Sequence, residues 1–79
     1  MYLEIISPEK SEGSFENVKS VVFPGKDGSF GVLENHAPMV ALLSHGTIKI
    51  TLNDNSVHII EISSGIAEIK NNRITVIVK

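Results

Sequence analysis

From Gly46 to Leu52 the chain reads GTIKITL, and apolar and polar residues alternate without a break. Ile48, Ile50 and Leu52 point one way; Thr47, Lys49 and Thr51 point the other. Period two is the signature of a strand with one buried face. It recurs in RITVIV (73–78), where Ile74, Val76 and Val78 share a face. The stretch SVHIIEI (56–62) is apolar on both faces, with Val57 and Ile59 opposing Ile60 and Ile62. Such a strand is buried on both sides or lies at a subunit contact. Strands are expected near 2–6, 14–23, 29–33, 39–44, 46–52, 56–62, 65–70 and 73–78. MVALLS (39–44), short and preceded by Pro38, is the only possible helix, and a strand is expected there instead. Many short strands with close turns predict an all-β sandwich or barrel. Ile50, Ile59 and Val76 are expected in the core between its layers.

Turn chemistry separates these segments. Asn53-Asp54-Asn55 and Asn71-Asn72 mark two hairpins, because Asn tolerates the positive φ that a two-residue type I′ turn requires. Pro24-Gly25 suits the centre of a type II turn, and Asp27-Gly28 marks another directly after it. Gly25 and Gly28 are expected to supply positive φ. Gly31, inside a strand, predicts a bulge or a close backbone approach. Pro38, Gly46 and Gly65 complete the expected structural turn positions.

At 79 residues the chain has room for one domain, and 42% hydrophobic residues suffice for one small core. It has no cysteine, which excludes disulfides and Cys-based zinc sites and fits a reducing compartment. The net charge of −2 comes without runs of either sign, so no basic stripe for nucleic acid exists. MYLEIISPEK lacks the basic start and unbroken apolar run of a signal peptide. No apolar stretch has the length of a spanning helix. A soluble domain is expected, one that could still rest against a membrane complex.

The glycines at 25, 28 and 31, beside Lys26, raise phosphate binding as a question. A Walker loop needs Gly-Lys-Ser/Thr opening a helix, and a dinucleotide fingerprint needs Gly-x-Gly-x-x-Gly before one. Neither pattern is present, so the glycines read as turn positions. His36, His45 and His58 lack the spacing that brings ligands together on one strand or helix, and no metal site is assigned. His45 reads as a turn residue and His58 as a solvent-facing or hydrogen-bonded strand residue. His36, ahead of Ala37-Pro38, either anchors the neighbouring turn or touches a partner. No Gly-x-Ser-x-Gly elbow appears. Among the carboxylates, Glu9 and Glu12 flank a loop, while Glu61 and Glu68 read as edge or solvent-side positions. No catalytic residue and no cofactor is assigned. On residues alone, the reading is a β domain that binds something.

Three segments carry more: LEIISPE (3–9), DGSFGVLENHAPMVALLSHGTIKI (27–50) and SSGIAEIKNNRITVIV (63–78). In order along nearly the whole chain, they resemble the epsilon subunit of bacterial F-type ATP synthase. The most specific element is Gly28-x-x-Gly31-Val32-x-x-x-His36-Ala37-Pro38 followed by Leu43 and Gly46; Ser64-Gly65 is a second. The resemblance implies a flattened antiparallel sandwich of two sheets, about eight to ten short strands. It implies a non-catalytic rotor subunit at the foot of the central stalk, packed on the gamma subunit and resting on the membrane c-ring. That location is peripheral, on the cytoplasmic face of the bacterial plasma membrane. Asp27, Gly28 and Ser29 then fall where the family loop meets the c-ring. Glu34, Asn35 and His36 fall on a neighbouring loop, at the junction of gamma and ring. The sequence has Glu34-Asn35 where many members have Pro-Gly, and Ser64-Gly65 where Gly-Gly is usual. It stops at Lys79, where the family usually continues into two regulatory helices, so a short form without that inhibitory element is expected.

Overall fold

The structure is a computed structural model, and it describes residues 1–8 and 11–79. Nine strands are formed among the described residues. They are β1 (Tyr2–Ile6), β2 (Ser11–Phe15), β3 (Val18–Gly25), β4 (Gly28–Leu33), β5 (Met39–Leu43), β6 (Gly46–Leu52), β7 (Val57–Ile62), β8 (Gly65–Lys70) and β9 (Arg73–Val78). They follow one hydrogen-bonded path, β2-β1-β9-β8-β5-β3-β6-β7, with β4 on the outer side of β3. Every pairing is antiparallel except β1 with β9, which is parallel.

The path curls into two layers. One layer is β2-β1-β9-β8-β5 and the other is β4-β3-β6-β7. In the strand ladders they join at one residue pair, Gly25 with Leu43, and Met1 and Val18 exchange backbone bonds of 2.9 and 3.0 Å between the layers. Flanking bonds hold the Gly25–Leu43 join: the Lys26 amide donates to the Leu42 carbonyl at 2.9 Å and the Ser44 amide to the Pro24 carbonyl at 2.8 Å. The Ser44 hydroxyl donates to the same Pro24 oxygen at 3.2 Å. On the opposite side the end strands β2 and β7 meet through side chains, with the Phe15 and His58 rings 5.2 Å apart and tilted by 51°. The expected two sheets are therefore one sheet folded over.

The alternation seen in the sequence decides which side chains the fold encloses. Ile48 and Ile50 of β6, and Ile74, Val76 and Val78 of β9, are buried between the layers. Leu3, Ile5, Val21, Phe23, Val32, Ala67 and Ile69 join them, and no buried residue is polar or charged among those described. In β3 the buried positions run Val18, Val21, Phe23, which breaks period two. A register shift against β6 between Val18 and Ser20 accounts for it, since one extra residue switches the face.

Three local expectations need correction. The strand expected over 14–23 is two strands, because Asn17 takes a φ of 58° and turns the chain from one layer to the other. The type II turn at Pro24-Gly25 does not form: β3 runs on through both residues, and the turn is Lys26-Asp27. Gly25 has no positive φ; a Cβ there would come within 2.5 Å of the Gly28 carbonyl oxygen, so close approach accounts for the glycine. Gly31 makes neither a bulge nor a close approach, because the β3–β4 register is unbroken and the Val21 oxygen stands 4.0 Å from its Cβ position.

Other turns follow their residues. Asn71 and Asn72, at φ of 53° and 59°, form the expected two-residue hairpin. In the 53–56 loop only Asn55 is left-handed, at 70°, and its amide closes a turn onto the Leu52 carbonyl at 2.8 Å. Gly46 and Gly65 are strand residues, not turn residues. Pro38 sits in the extended link ahead of β5.

Ile59 is the core expectation that fails: it is 59% exposed, whereas Ile50 and Val76 are fully enclosed. It lies on the outer face of β7, opposite Lys49. The contrast gives a direct test. Ile50→Ala should cost ~2–5 kcal/mol, because it opens a cavity that neighbours fill only in part. Ile59→Ser should stay within about 0.5 kcal/mol of the parent. Chemical denaturation of both variants checks this, and equal losses would mean that the burial of β7 is wrongly assigned.

Candidate functional site: a hairpin tip, a corner and two apolar faces

The β3–β4 hairpin ends in Lys26-Asp27, both exposed, with Gly28 at a φ of 126° and open space where a Cβ would stand. Ser29 follows on β4, also exposed and opposite Pro24. The tip shares its end of the sandwich with the Ser44-His45 link, the Ser63-Ser64 bend and Lys79. The bonds from Lys26 to Leu42 and from the Lys79 amide to the Ser64 carbonyl, the latter 3.1 Å, hold this end together.

The corner formed by Glu34, Asn35 and His36 lies at the other end of β4. Six strand residues at ~3.4 Å each separate it from the tip, so the two loops are ~20 Å apart along β4 and not neighbours. The earlier expectation of adjacent loops is corrected by this geometry. Asn35 is left-handed at 61°, and its amide donates to Asn72 Oδ1 of the β8–β9 turn at 2.9 Å. Glu34 Oε1 lies 3.5 Å from the Met1 nitrogen. The His36 Nδ1–H donates to the Ala37 carbonyl at 2.7 Å, which fixes the ring against its own corner. Of the two readings of His36, the anchoring one has a bond to show for it.

The histidines do not converge. His36 is at this corner, His45 at the opposite end and His58 on β7 against Phe15. Among the described residues no group of three metal-ligating side chains comes together. Glu61 and Glu68 are exposed strand residues, as expected, while Glu9 lies outside the described residues. The titratable group with a displaced pKa is Asp54. The Ser56 hydroxyl donates to its Oδ1 at 2.6 Å and the Ser56 amide at 2.9 Å, and these bonds hold the carboxyl below its usual range. Both residues are exposed, and the arrangement serves the turn.

The apolar faces were only half legible. Across β1, β9, β8 and β5, the residues Ile6, Ile77, Ile66 and Leu42 stand directly opposite one another on the outer side. Ile77, Ile66 and Leu42 are each about half exposed. They floor a groove rimmed by Lys26, His45 and Lys79. The other layer is mixed: Val22 and Ile59 flank Lys49 in one row, and Leu33 and Val57 flank Ser20 and Thr51 in the next. The two-sided apolar strand at 56–62 signalled this second face. The first escaped notice because its residues come from four separate strands. Exposed apolar rows of this extent mark contact surfaces.

A family model for the ATP synthase delta/epsilon chain β-sandwich domain matches residues 1–79. The chain is 41% identical over 76 residues to the ATP synthase epsilon chain of Magnetococcus marinus, covering 96% of this chain and 54% of that one. It is 38% identical over 71 residues to the ATP synthase epsilon chain of Chlorobium limicola, covering 90% of this chain and 80% of that one. The chain thus spans about half the length of the first curated relatives it matches, and most of the length of others. Its fold matches a chain in the structure of the Tetrahymena thermophila mitochondrial ATP synthase central stalk and c-ring, with a TM-score of 0.83 at 16% identity. That overlay covers 99% of this chain and 62% of the other. The curled nine-stranded sandwich and the sequence match along its whole length agree: this chain belongs to the family of ATP synthase delta/epsilon chain β-sandwich domains.

Proposed function

We propose that this chain is a non-catalytic part of the rotor of an F-type ATP synthase, linking the gamma subunit to the membrane c-ring and so coupling ion flow to ATP chemistry. The family match over residues 1–79 carries this reading. Two outer faces with apolar rows support it, because a rotor component must be gripped over an extended surface to transmit torque. No helix among the described residues is long and apolar enough to cross a membrane, so the attachment proposed is peripheral. The location proposed is the cytoplasmic face of the bacterial plasma membrane.

Within this reading Asp27, Gly28 and Ser29 are the contact to the c-ring. Glu34, Asn35 and His36, at the far end of β4, are given to the gamma side of the junction. An exposed hairpin tip suits the polar loops of a ring, and a corner tied to the β8–β9 turn and to Met1 suits a fixed partner.

Two experiments test the proposal. Capture of the gamma subunit by the tagged chain tests partnership, and failure to retain it from a matched complex would refute the rotor reading. The second concerns the tip. Gly28→Val forces a β-branched residue to a φ of 126° and should cost about 1–3 kcal/mol of backbone strain. In reconstituted vesicles, ATP-driven ion pumping should fall well below the hydrolysis rate that accompanies it. Normal pumping by an intact assembly would remove the tip from the ring contact.

A further inference from the structure

We infer that Asp27-Gly28 is a site of spontaneous succinimide formation, and hence of isoaspartate, on the tip of the β3–β4 hairpin. The chain contains two aspartates, Asp27 and Asp54, and the fold treats them in opposite ways. The reaction needs a free carboxyl and access for the following amide nitrogen. That nitrogen attacks Cγ of the protonated side-chain carboxyl, and a C–N bond forms. The amide hydrogen and the carboxyl hydroxyl leave together as water. Hydrolysis of the five-membered imide then returns one water. Opening at the side-chain carbonyl restores aspartate. Opening at the main-chain carbonyl leaves the chain running through the side chain. No oxidant or partner enters, and no mass is gained.

Asp27 is exposed, and among the described residues no hydrogen bond or ion pair holds its carboxylate. Gly28, the residue that follows, sits at a φ of 126° with nothing within 4 Å of its Cβ position; its amide lies in the Gly25–Gly28 pair that closes the hairpin, as that of Asn55 lies in its own turn, but no side chain shields the nitrogen. Asp54 is the internal control. The Ser56 amide and hydroxyl occupy its carboxylate. The nitrogen that would attack, that of Asn55, donates to the Leu52 carbonyl at 2.8 Å. Asn55 also carries a side chain, pinned to Lys19 Nζ at 3.1 Å. Both reactive ends of the Asp54 site are engaged, whereas the carboxylate of the Asp27 site is free.

The experiment ages the folded 79-residue chain at mildly acidic pH, digests it, and labels isoaspartyl peptides with an isoaspartyl methyltransferase. Peptide mapping then assigns the label, and only peptides of unchanged mass are scored, because deamidation of Asn35, Asn53 or Asn55 also yields isoaspartate but shifts the mass. The peptide spanning 27–28 should carry a large excess of label over that spanning 54–55, and Asp27→Glu, at an exposed position, should abolish the signal. Ageing in denaturant should raise labelling at Asp54, because unfolding releases its carboxyl and the Asn55 nitrogen. Equal labelling of the two peptides in the folded chain would overturn the inference. So would a signal that survives Asp27→Glu. The inference needs nothing of the rotor reading, since it concerns the chain alone.

Discussion

Phe23→Ala should be among the most damaging single substitutions in this chain, with an expected loss of ~3–5 kcal/mol. Phe23 is fully buried and stacks on Phe30, the ring centroids 5.4 Å apart at 30°. It sits one residue from Pro24 and two from Gly25, where the layers join, so its removal opens a cavity beside the join itself. In a domain of this size each kcal/mol moves the melting temperature by roughly 4–8 °C. A small domain has little stability in reserve, and the variant should be largely unfolded or melt far below the parent. Thermal unfolding followed by circular dichroism measures it. A melting temperature close to that of the parent would mean that Phe23 does not anchor the core.

Gly65→Ala is the second. The added methyl would stand 2.6 Å from the Ile77 carbonyl oxygen and 3.4 Å from the Val78 Cα. Both are main-chain atoms, so no side-chain rotation relieves the contact. Strand β8 would have to move away from β9, stretching the Gly65–Val78 end of their ladder. Overpacking of this kind costs about 1–3 kcal/mol. The outer row Leu42–Ile66–Ile77 crosses the same strands one position away, so its spacing should change as well. Denaturant titration together with gamma capture separates the two effects. Unchanged stability would show that β8 and β9 have more slack than their register implies.

Much of the fold was written in the sequence in plain form. Alternation in 46–52 and 73–78 gave the buried faces of β6 and β9, because burial on one side of a strand leaves period two. Asn71-Asn72 gave its hairpin, because Asn tolerates left-handed backbone. What failed did so for identifiable reasons. Asn17 breaks a run that looks continuous, since one left-handed residue can turn a strand without any glycine or proline. Pro24-Gly25 imitates a turn, but the carbonyl of Pro24 serves the layer join and the strand continues. Ile59 is apolar on an outer face, opposite Lys49, so its residue type alone does not report which side of β7 is enclosed. For the candidate site, the tip and the corner are taken from the family pattern and stand as proposals. Their separation was not legible in the sequence, because it depends on β4 running straight between them.

The parallel pairing of β1 with β9 sets Tyr2 beside Arg73 and Ile6 beside Ile77. β9 occupies the middle of its layer, between β1 and β8. Strand β1 therefore has no neighbour on that side until Arg73–Val78, about seventy residues later in the chain, has been made. Until then β1 holds only the hairpin with β2, and an isolated two-stranded hairpin is marginal in water. Contacts this distant along the chain also slow folding, since the loop must close before they reward it. The layer is complete only once its central strand is in place. Until β9 inserts, the facing edges of β1 and β8 are both left without their ladder partner.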